Sequence, residues 1–350
     1  MKTNQTQKLF SARDHDFDFC RSFLVISMIF GHSFINYYLP DYNRNLTAFV
    51  TIAFVFISGF SIGAVHFKYS SLAPRVNLFH ALKRTFRFYL LYLACNAVVI
   101  SLDQGRLAIL SNTPFYAIIF NNIFGTVGPA FILDILPPIA LTTLYSWFFL
   151  ELKDKNIPYY ILMIFVPILA LLAIESIADM ELATLELSLV GVSGCFIGKI
   201  AALINWNNFI RKMSRIKIIV ILGLIISCYF LAVRYSFWPQ GPILVWLHFP
   251  FIIVLMFFVY IISYSLNLSN FQWIRFTNST IGKYTLFSYI FHIGVIKLSC
   301  LFVDKEFSFS QTTFLAFFLL GIMIACCYLL ESAIKKYSWV SNTYSIVFRV

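Results

Sequence analysis

The stretch "DFDFCRSFLVISMIFGHSF", residues 16–34, decides the fold, because most of it is an apolar run close to the length that crosses a bilayer. Acidic residues and Arg21 stand at its start, and His32 lies eleven residues beyond that arginine. Ionisable groups at bilayer depth are costly and usually functional. The stretch therefore predicts a transmembrane helix with a candidate for chemistry inside it.

The composition of the whole chain is that of a membrane protein. Of its 350 residues, 60% are hydrophobic and 12% are charged, whereas about a quarter of a soluble domain is charged. A bilayer needs about 20 apolar residues per helix. Runs of this kind occur at about 20–39, 46–67, 84–102, 130–150, 157–174, 186–204, 216–236, 243–266, 282–301 and 312–333.

These runs predict an all-α polytopic membrane protein with about ten transmembrane helices. The run at 114–125 is too short to span and is interpreted as a re-entrant or interfacial segment. Residues 20–335 then form one transmembrane domain between a cytoplasmic N-terminal segment, 1–19, and a cytoplasmic tail, 336–350.

The distribution of charge sets the orientation. Ten spans put both termini on one side, and that side carries all of the 26 lysines and arginines except Arg44, Arg106, Arg234, Lys297 and Lys305. Basic residues concentrate in cytoplasmic loops, so both termini are predicted to be cytoplasmic. Because topology accounts for the net charge of +11, nucleic acid is not an expected partner.

Arg21 and His32 fall on one face of the first predicted helix. Eleven residues at about 100° each end about 20° past three full turns, and Asp18 stands three residues before Arg21, where it can pair with it. His32 then lies roughly 18 Å from the cytoplasmic end of the helix. The alternative is a histidine that serves only packing, through a hydrogen bond to a neighbouring helix.

A second basic site opens the third helix. Arg84 and Arg87 in "KRTFRFY" are three residues apart and share a face at the cytoplasmic boundary. Guanidinium groups bind phosphates with two hydrogen bonds and keep their charge. The alternative is a pair of anchors that fix the topology.

Three further sites carry weaker signals. Asp134, in "FILDILPP", lies near the outer end of the fourth helix and either orients a substrate hydroxyl or pairs within the bundle. His292 lies in the middle of the ninth span. Ser58 belongs to "FVFISGFSIG", residues 54–63, where small residues more often indicate close helix packing than chemistry.

The order of these motifs resembles that of the membrane acyltransferase 3 family. The first helix has the acidic residue, the arginine and, after ten intervening residues, the histidine, in Asp18, Arg21 and His32. "FVFISGF" resembles the family's second-helix segment, the pair of Arg84 and Arg87 its R-x-x-R motif, and "GKYTLFSYIFH" (282–292) its late helix. The resemblance covers nearly the whole chain. Within the family, "FVFISGF", "FILDILPP" and "LVGVSGCFIGKI" are most similar to the branch named after the OpgC glucan succinylation protein.

The resemblance implies an O-acyltransferase of the bacterial inner membrane. Its donor is acyl-CoA on the cytoplasmic side, with an acetyl or succinyl group, and its acceptor is a hydroxyl of an envelope or periplasmic glycan or glycolipid. Arg21, Arg84 and Arg87 are then expected to hold the phosphates of coenzyme A, and His32 is the expected general base. Asp18, Ser58, Asp134 and His292 are expected to support the site, with no metal and no permanently bound cofactor.

The chain departs from the family pattern where Ser22 follows Arg21 in place of glycine, and at Pro138-Ile139 after "ILP". A proton-coupled secondary transporter is the alternative function, since it would use buried Asp134 and two buried histidines. No inverted repeat or matched pair of broken helices supports it. The sequence leaves the oligomeric state open.

Overall fold

The computed structural model describes residues 15–38, 44–68, 74–102, 135–151, 166–170, 173–174, 183–203, 219–220, 222–224, 227, 243–265, 271–302 and 307–347. Over these ranges its regular structure is entirely helical. The main helices are α1 His15–Tyr37, α2 Arg44–Lys68, α3 Pro74–Leu102, α4 Leu136–Glu151, α5 Ala183–Leu203, α6 Ile243–Ser265, α7 Gln272–Thr277, α8 Thr285–Phe302, α9 Phe309–Lys336 and α10 Ser338–Val347. A π-helical turn, Asn278–Gly282, lies between α7 and α8.

The all-helical prediction is confirmed for the described residues. Eight of the ten predicted spans coincide with α1–α6, α8 and α9 within several residues at most ends. The spans predicted at 157–174 and 216–236 lie largely outside the described residues, and the segment at 114–125 lies wholly outside them. Among the described residues, two helices are long and apolar enough to cross a membrane, Thr184–Ala201 and Phe309–Lys336. The number of ten spans stays a prediction.

α2 and α5 pack in parallel through glycines. A Cβ atom placed on Gly59 would lie 1.8 Å from the carbonyl oxygen of Gly191, and one on Gly63 would lie 1.9 Å from that of Cys195. Small residues spaced four apart let two helix backbones approach this closely. The packing interpretation of "FVFISGFSIG" is therefore confirmed at its two glycines.

α1 is the central helix of the described bundle, with α2, α6, α8, α9 and the π-helical turn around it. Its middle is buried at Leu24, Val25, Met28 and Ile29. α9 runs antiparallel to it, because Phe30 contacts Phe317 and Tyr37 contacts Phe307, with ring centroids 5.1 and 5.4 Å apart. A central position lets α1 hold side chains that meet several other helices.

The π-helical turn meets the start of α1. A Cβ atom on Gly282 would lie 2.6 Å from the Asp18 carbonyl oxygen and 2.9 Å from Ser22 Oγ, so only glycine permits this approach. The Ser22 hydroxyl donates back to the Asp18 carbonyl at 2.9 Å. Short π-helical turns often occur at functional sites, and this one fixes α8 beside the half of α1 that carries Arg21.

The cytoplasmic tail predicted at 336–350 contains α10, which the sequence did not indicate. Half-buried Tyr344 of α10 packs edge-on against Tyr284, with ring centroids 5.2 Å apart. Tyr284 in turn donates its hydroxyl proton to Glu331 of α9, which also pairs with Lys283 at 2.5 Å and Lys335 at 3.1 Å. These contacts join α8, α9 and α10 at one end of the bundle.

Candidate active site

Arg21 lies between α1 and α2. Its guanidinium donates to the Ser61 hydroxyl at 2.7 Å and to the Asp18 carboxylate at 3.4 Å, and it stands 5.7 Å from the centre of the Phe17 ring. The predicted pairing with Asp18 is confirmed. Asp18 is 2% exposed, which is rare for a carboxylate unless it is paired.

Arg84 of α3 comes within electrostatic range of Arg21. Its side chain is half-buried, and its guanidinium stands 5.7 Å from the centre of the Phe88 ring. Its Nε is buried and has no hydrogen-bond partner among the described residues. α3 is fixed here because the Thr85 hydroxyl donates to the Ala140 carbonyl of α4 at 3.0 Å. Two arginines from separate helices thus face one region.

Among the described side chains of this region, arginines outnumber carboxylates. Arg21 and Arg84 contribute two positive charges, half-buried Arg87 stands one turn further along α3, and Asp18 is the carboxylate that pairs with Arg21. Like charges held near each other with an unsatisfied donor favour the binding of an anion. Of the arginines that the sequence proposed for phosphate binding, the structure thus places Arg21 and Arg84 within electrostatic range of each other.

His32 of α1 faces His292 of α8. The ring centroids are 5.6 Å apart and the ring planes differ by 34°. His32 is half-buried and His292 is 3% exposed. No group of three His, Cys, Asp or Glu side chains with metal-binding geometry occurs among the described residues, so this pair gains no third protein ligand there.

Neighbours fix the orientation of His292. Its Nδ1 lies 3.1 Å from the Ser288 carbonyl oxygen, one turn earlier in α8. The Tyr289 ring packs edge-on against it, with centroids 5.6 Å apart, and the Ser288 hydroxyl contacts the Cys327 sulfur of α9 at 3.2 Å. The imidazole is thus held by its own helix, which is braced against α9.

The basic region and the histidine pair occupy different levels of α1. Arg21 and His32 belong to one continuous helix, and eleven residues correspond to about 16 Å along its axis. The two sites therefore lie about 16 Å apart along α1.

Ser58 and Asp134 were also predicted to support the site. Ser58 is half-buried, and its hydroxyl donates to the Phe54 carbonyl of its own helix at 2.8 Å. Asp134 lies outside the described residues. Sequence reasoning missed the bond from Arg21 to Ser61 and the contact of Gly282 with Asp18, because no spacing within one helix indicates a partner on another. The sequence predicted only a supporting role for His292, because its own helix has no arginine at the spacing that separates Arg21 from His32.

Comparison with known proteins agrees with this arrangement. A family model described as an acyltransferase domain (Acyl_transf_3) matches residues 14–332, which include every described site residue. No curated protein and no solved structure shows significant similarity to the chain. Because the match covers well over half of the sequence, the chain belongs to the acyltransferase 3 family and is a membrane-associated acyltransferase.

Proposed function

We propose that the protein transfers an acetyl or succinyl group from acyl-CoA to a hydroxyl of an envelope or periplasmic glycan or glycolipid. The observation that supports this best is that Arg84 of α3 lies within electrostatic range of Arg21 of α1, with His32 about 16 Å further along α1. Coenzyme A has this form, because a highly charged phosphate end is joined by a thin arm to a reactive thioester. The succinyl option rests on the resemblance to the OpgC branch.

The donor binds through its phosphates. The guanidinium of Arg21 donates hydrogen bonds to Asp18 and Ser61. The Nε–H of Arg84, which has no partner among the described residues, supplies a donor for a phosphate oxygen. Arg87 extends the same positive region by one turn of α3. Charge-assisted bonds of this kind are roughly twice as strong as neutral ones.

The acyl group moves at His32. The neutral imidazole takes the proton of the acceptor hydroxyl as that oxygen attacks the thioester carbonyl carbon. The tetrahedral intermediate then collapses with cleavage of the carbon–sulfur bond. The departing thiolate takes this proton from the imidazolium. The products are an ester and free coenzyme A, and His32 is neutral again.

The protein is placed in the bacterial inner membrane with residues 20–335 as its transmembrane domain and both termini in the cytoplasm. The helix directions agree with ten spans. α1 runs parallel to α8, because His32 meets His292 and Tyr37 meets Ile296. α1 runs antiparallel to α9, and α2 runs parallel to α5. These are the first, ninth, tenth, second and sixth predicted spans. The family assignment favours this enzyme over the transporter.

Reporter fusions test the topology. A reporter at the C-terminus should be active in the cytoplasm, and one inserted at 175–184 should be active in the periplasm, because basic residues concentrate on the C-terminal side. A reporter fused at the N-terminus is the matched control and should agree with the C-terminal one. A periplasmic C-terminus would contradict the ten-span arrangement.

Substitution of the arginines tests the donor site. Arg84→Gln and Arg87→Gln should each weaken acetyl-CoA binding by about 10–100-fold, since a hydrogen bond to a charged group contributes about 1.5–3 kcal/mol. Lysine at either position should restore only part of the affinity, because an ammonium lacks the planar fork. Isothermal titration calorimetry on purified protein measures both.

Lys83 provides the matched control, because it is basic, exposed and adjacent to Arg84 on α3. Lys83→Gln should bind acetyl-CoA nearly as tightly as the unchanged protein. If Arg84→Gln and Arg87→Gln bind as tightly as Lys83→Gln, these arginines are topology anchors.

Mass spectrometry of envelope glycans, with and without the protein, identifies the acyl group and the acceptor.

A further inference from the structure

The bond between His292 and Ser288 determines the tautomer of that histidine. A carbonyl oxygen only accepts hydrogen bonds, so the Nδ1 that lies 3.1 Å from the Ser288 oxygen carries the proton of the neutral ring. Nε2 is then left as an acceptor with a free lone pair. The backbone of α8 thus fixes which nitrogen of His292 can receive a proton or a hydrogen bond.

This acceptor is buried and unsatisfied. His292 is 3% exposed, and its Nε2 has no hydrogen-bond partner among the described residues. Buried polar atoms are almost always paired, and an exception calls for an explanation. The ring of His32, on another helix, has its centroid 5.6 Å from that of His292.

We propose that His292 is a positioning residue, whose Nε2 accepts a hydrogen bond from a ring N–H of His32 during turnover. The bond selects the tautomer of His32, so that its second nitrogen is unprotonated and directed at the acceptor hydroxyl. This inference rests on the proposed role of His32 as the base. It explains why two histidines meet in the middle of the bundle, where one would be enough for proton removal.

The geometry allows the bond after a small shift. An N–H···N bond of ordinary length places two imidazole centroids about 5 Å apart, and the observed separation is 5.6 Å. Hydrogen bonds in active sites are often long without substrate and tighten when it binds. His292 is held by Ser288 and Tyr289, so its ring keeps its orientation while the bond forms.

Two substitutions separate positioning from packing. Phenylalanine at 292 keeps a ring of similar size but has no acceptor, whereas glutamine places an oxygen near the position of Nε2. With acetyl-CoA as the donor, His292→Phe should lower kcat by about 10–100-fold, the usual effect of losing a second-layer partner. KM for acetyl-CoA should change little. His292→Gln should recover a large part of kcat, which a purely structural role would not produce.

A double-mutant cycle tests whether His292 acts through His32. If it does, adding His292→Phe to His32→Ala should cost nothing further in kcat, because the interaction is already lost. His80→Phe is the matched control, since His80 is exposed on α3, and it should leave kcat unchanged.

The outcomes distinguish this inference from the proposed function. Full activity in His32→Ala would overturn the base and, with it, the role of His292. Loss of activity in His32→Ala with full activity in His292→Phe would overturn only the role of His292. A further drop in kcat in the double variant would also overturn it, because His292 would then act independently.

Discussion

His32→Ala is expected to lower the rate of acyl transfer by about 10²–10⁴-fold, the usual contribution of a general base. Acyl-CoA binding should persist, because Arg21, one of the arginines proposed to bind the phosphates, lies about 16 Å away along α1. The measurement combines single-turnover transfer from radiolabelled acetyl-CoA with calorimetric binding of coenzyme A. A variant that retains more than about a tenth of wild-type turnover would contradict the assignment.

The control for this variant comes from the same helix. Ser33→Ala removes the buried hydroxyl next to His32, which donates to the Ile29 carbonyl of its own helix at 2.7 Å, and it should keep most activity. A pH–rate profile adds an independent check. The low-pH limb, in which an imidazole base is protonated, should be absent from the residual activity of His32→Gln. A limb that persists would assign the base to another group.

Gly59→Ala is expected to have the largest effect on the fold. The new methyl group would lie 1.8 Å from the Gly191 carbonyl oxygen, and a backbone atom inside a helix cannot rotate away. Overpacking usually costs about 1–3 kcal/mol, and separating α2 from α5 should exceed that range. Expression with fluorescence-detected size-exclusion chromatography, followed by thermal unfolding in detergent, measures the loss of folded protein.

The glycines of this chain supply graded controls. Gly191→Ala should also be destabilising, because its methyl group would lie 2.1 Å from Oγ1 of Thr142 and 2.9 Å from the Cβ of that residue, which side-chain rotation does not move. Gly294→Ala and Gly321→Ala should be neutral or slightly stabilising, because no atom of the described residues lies within 4 Å of the added atom and alanine has the higher helix propensity. Equal stability of Gly59→Ala and Gly321→Ala would show that α2 and α5 do not pack as described.

The positions of the helices could be read from the sequence. A helix that crosses a bilayer needs a long apolar run. The apolar runs of the sequence predicted α1–α6, α8 and α9 to within several residues at most of their ends. α10 was missed because it has ten residues, too few for a span, and the π-helical turn because it interrupts an otherwise helical run. Neither feature changes the apolar pattern on which the prediction depended.

Within one helix, spacing also identified contacts. Asp18 and Arg21 are three residues apart, and their pairing follows from the helical repeat alone. The same repeat gives the distance from Arg21 to His32, because both belong to α1. The sequence thus determined the helices, the candidate residues and their separation along the first helix.

Only the tertiary structure decided which candidates meet. Arg84 comes near Arg21, and His292 faces His32 across 260 positions of sequence. Such contacts depend on the rotation and the axial shift of each helix against its neighbours. These are set by packing, as where Gly59 meets Gly191 and Gly282 meets Asp18, and a periodic pattern within one helix carries no information about the helix beside it.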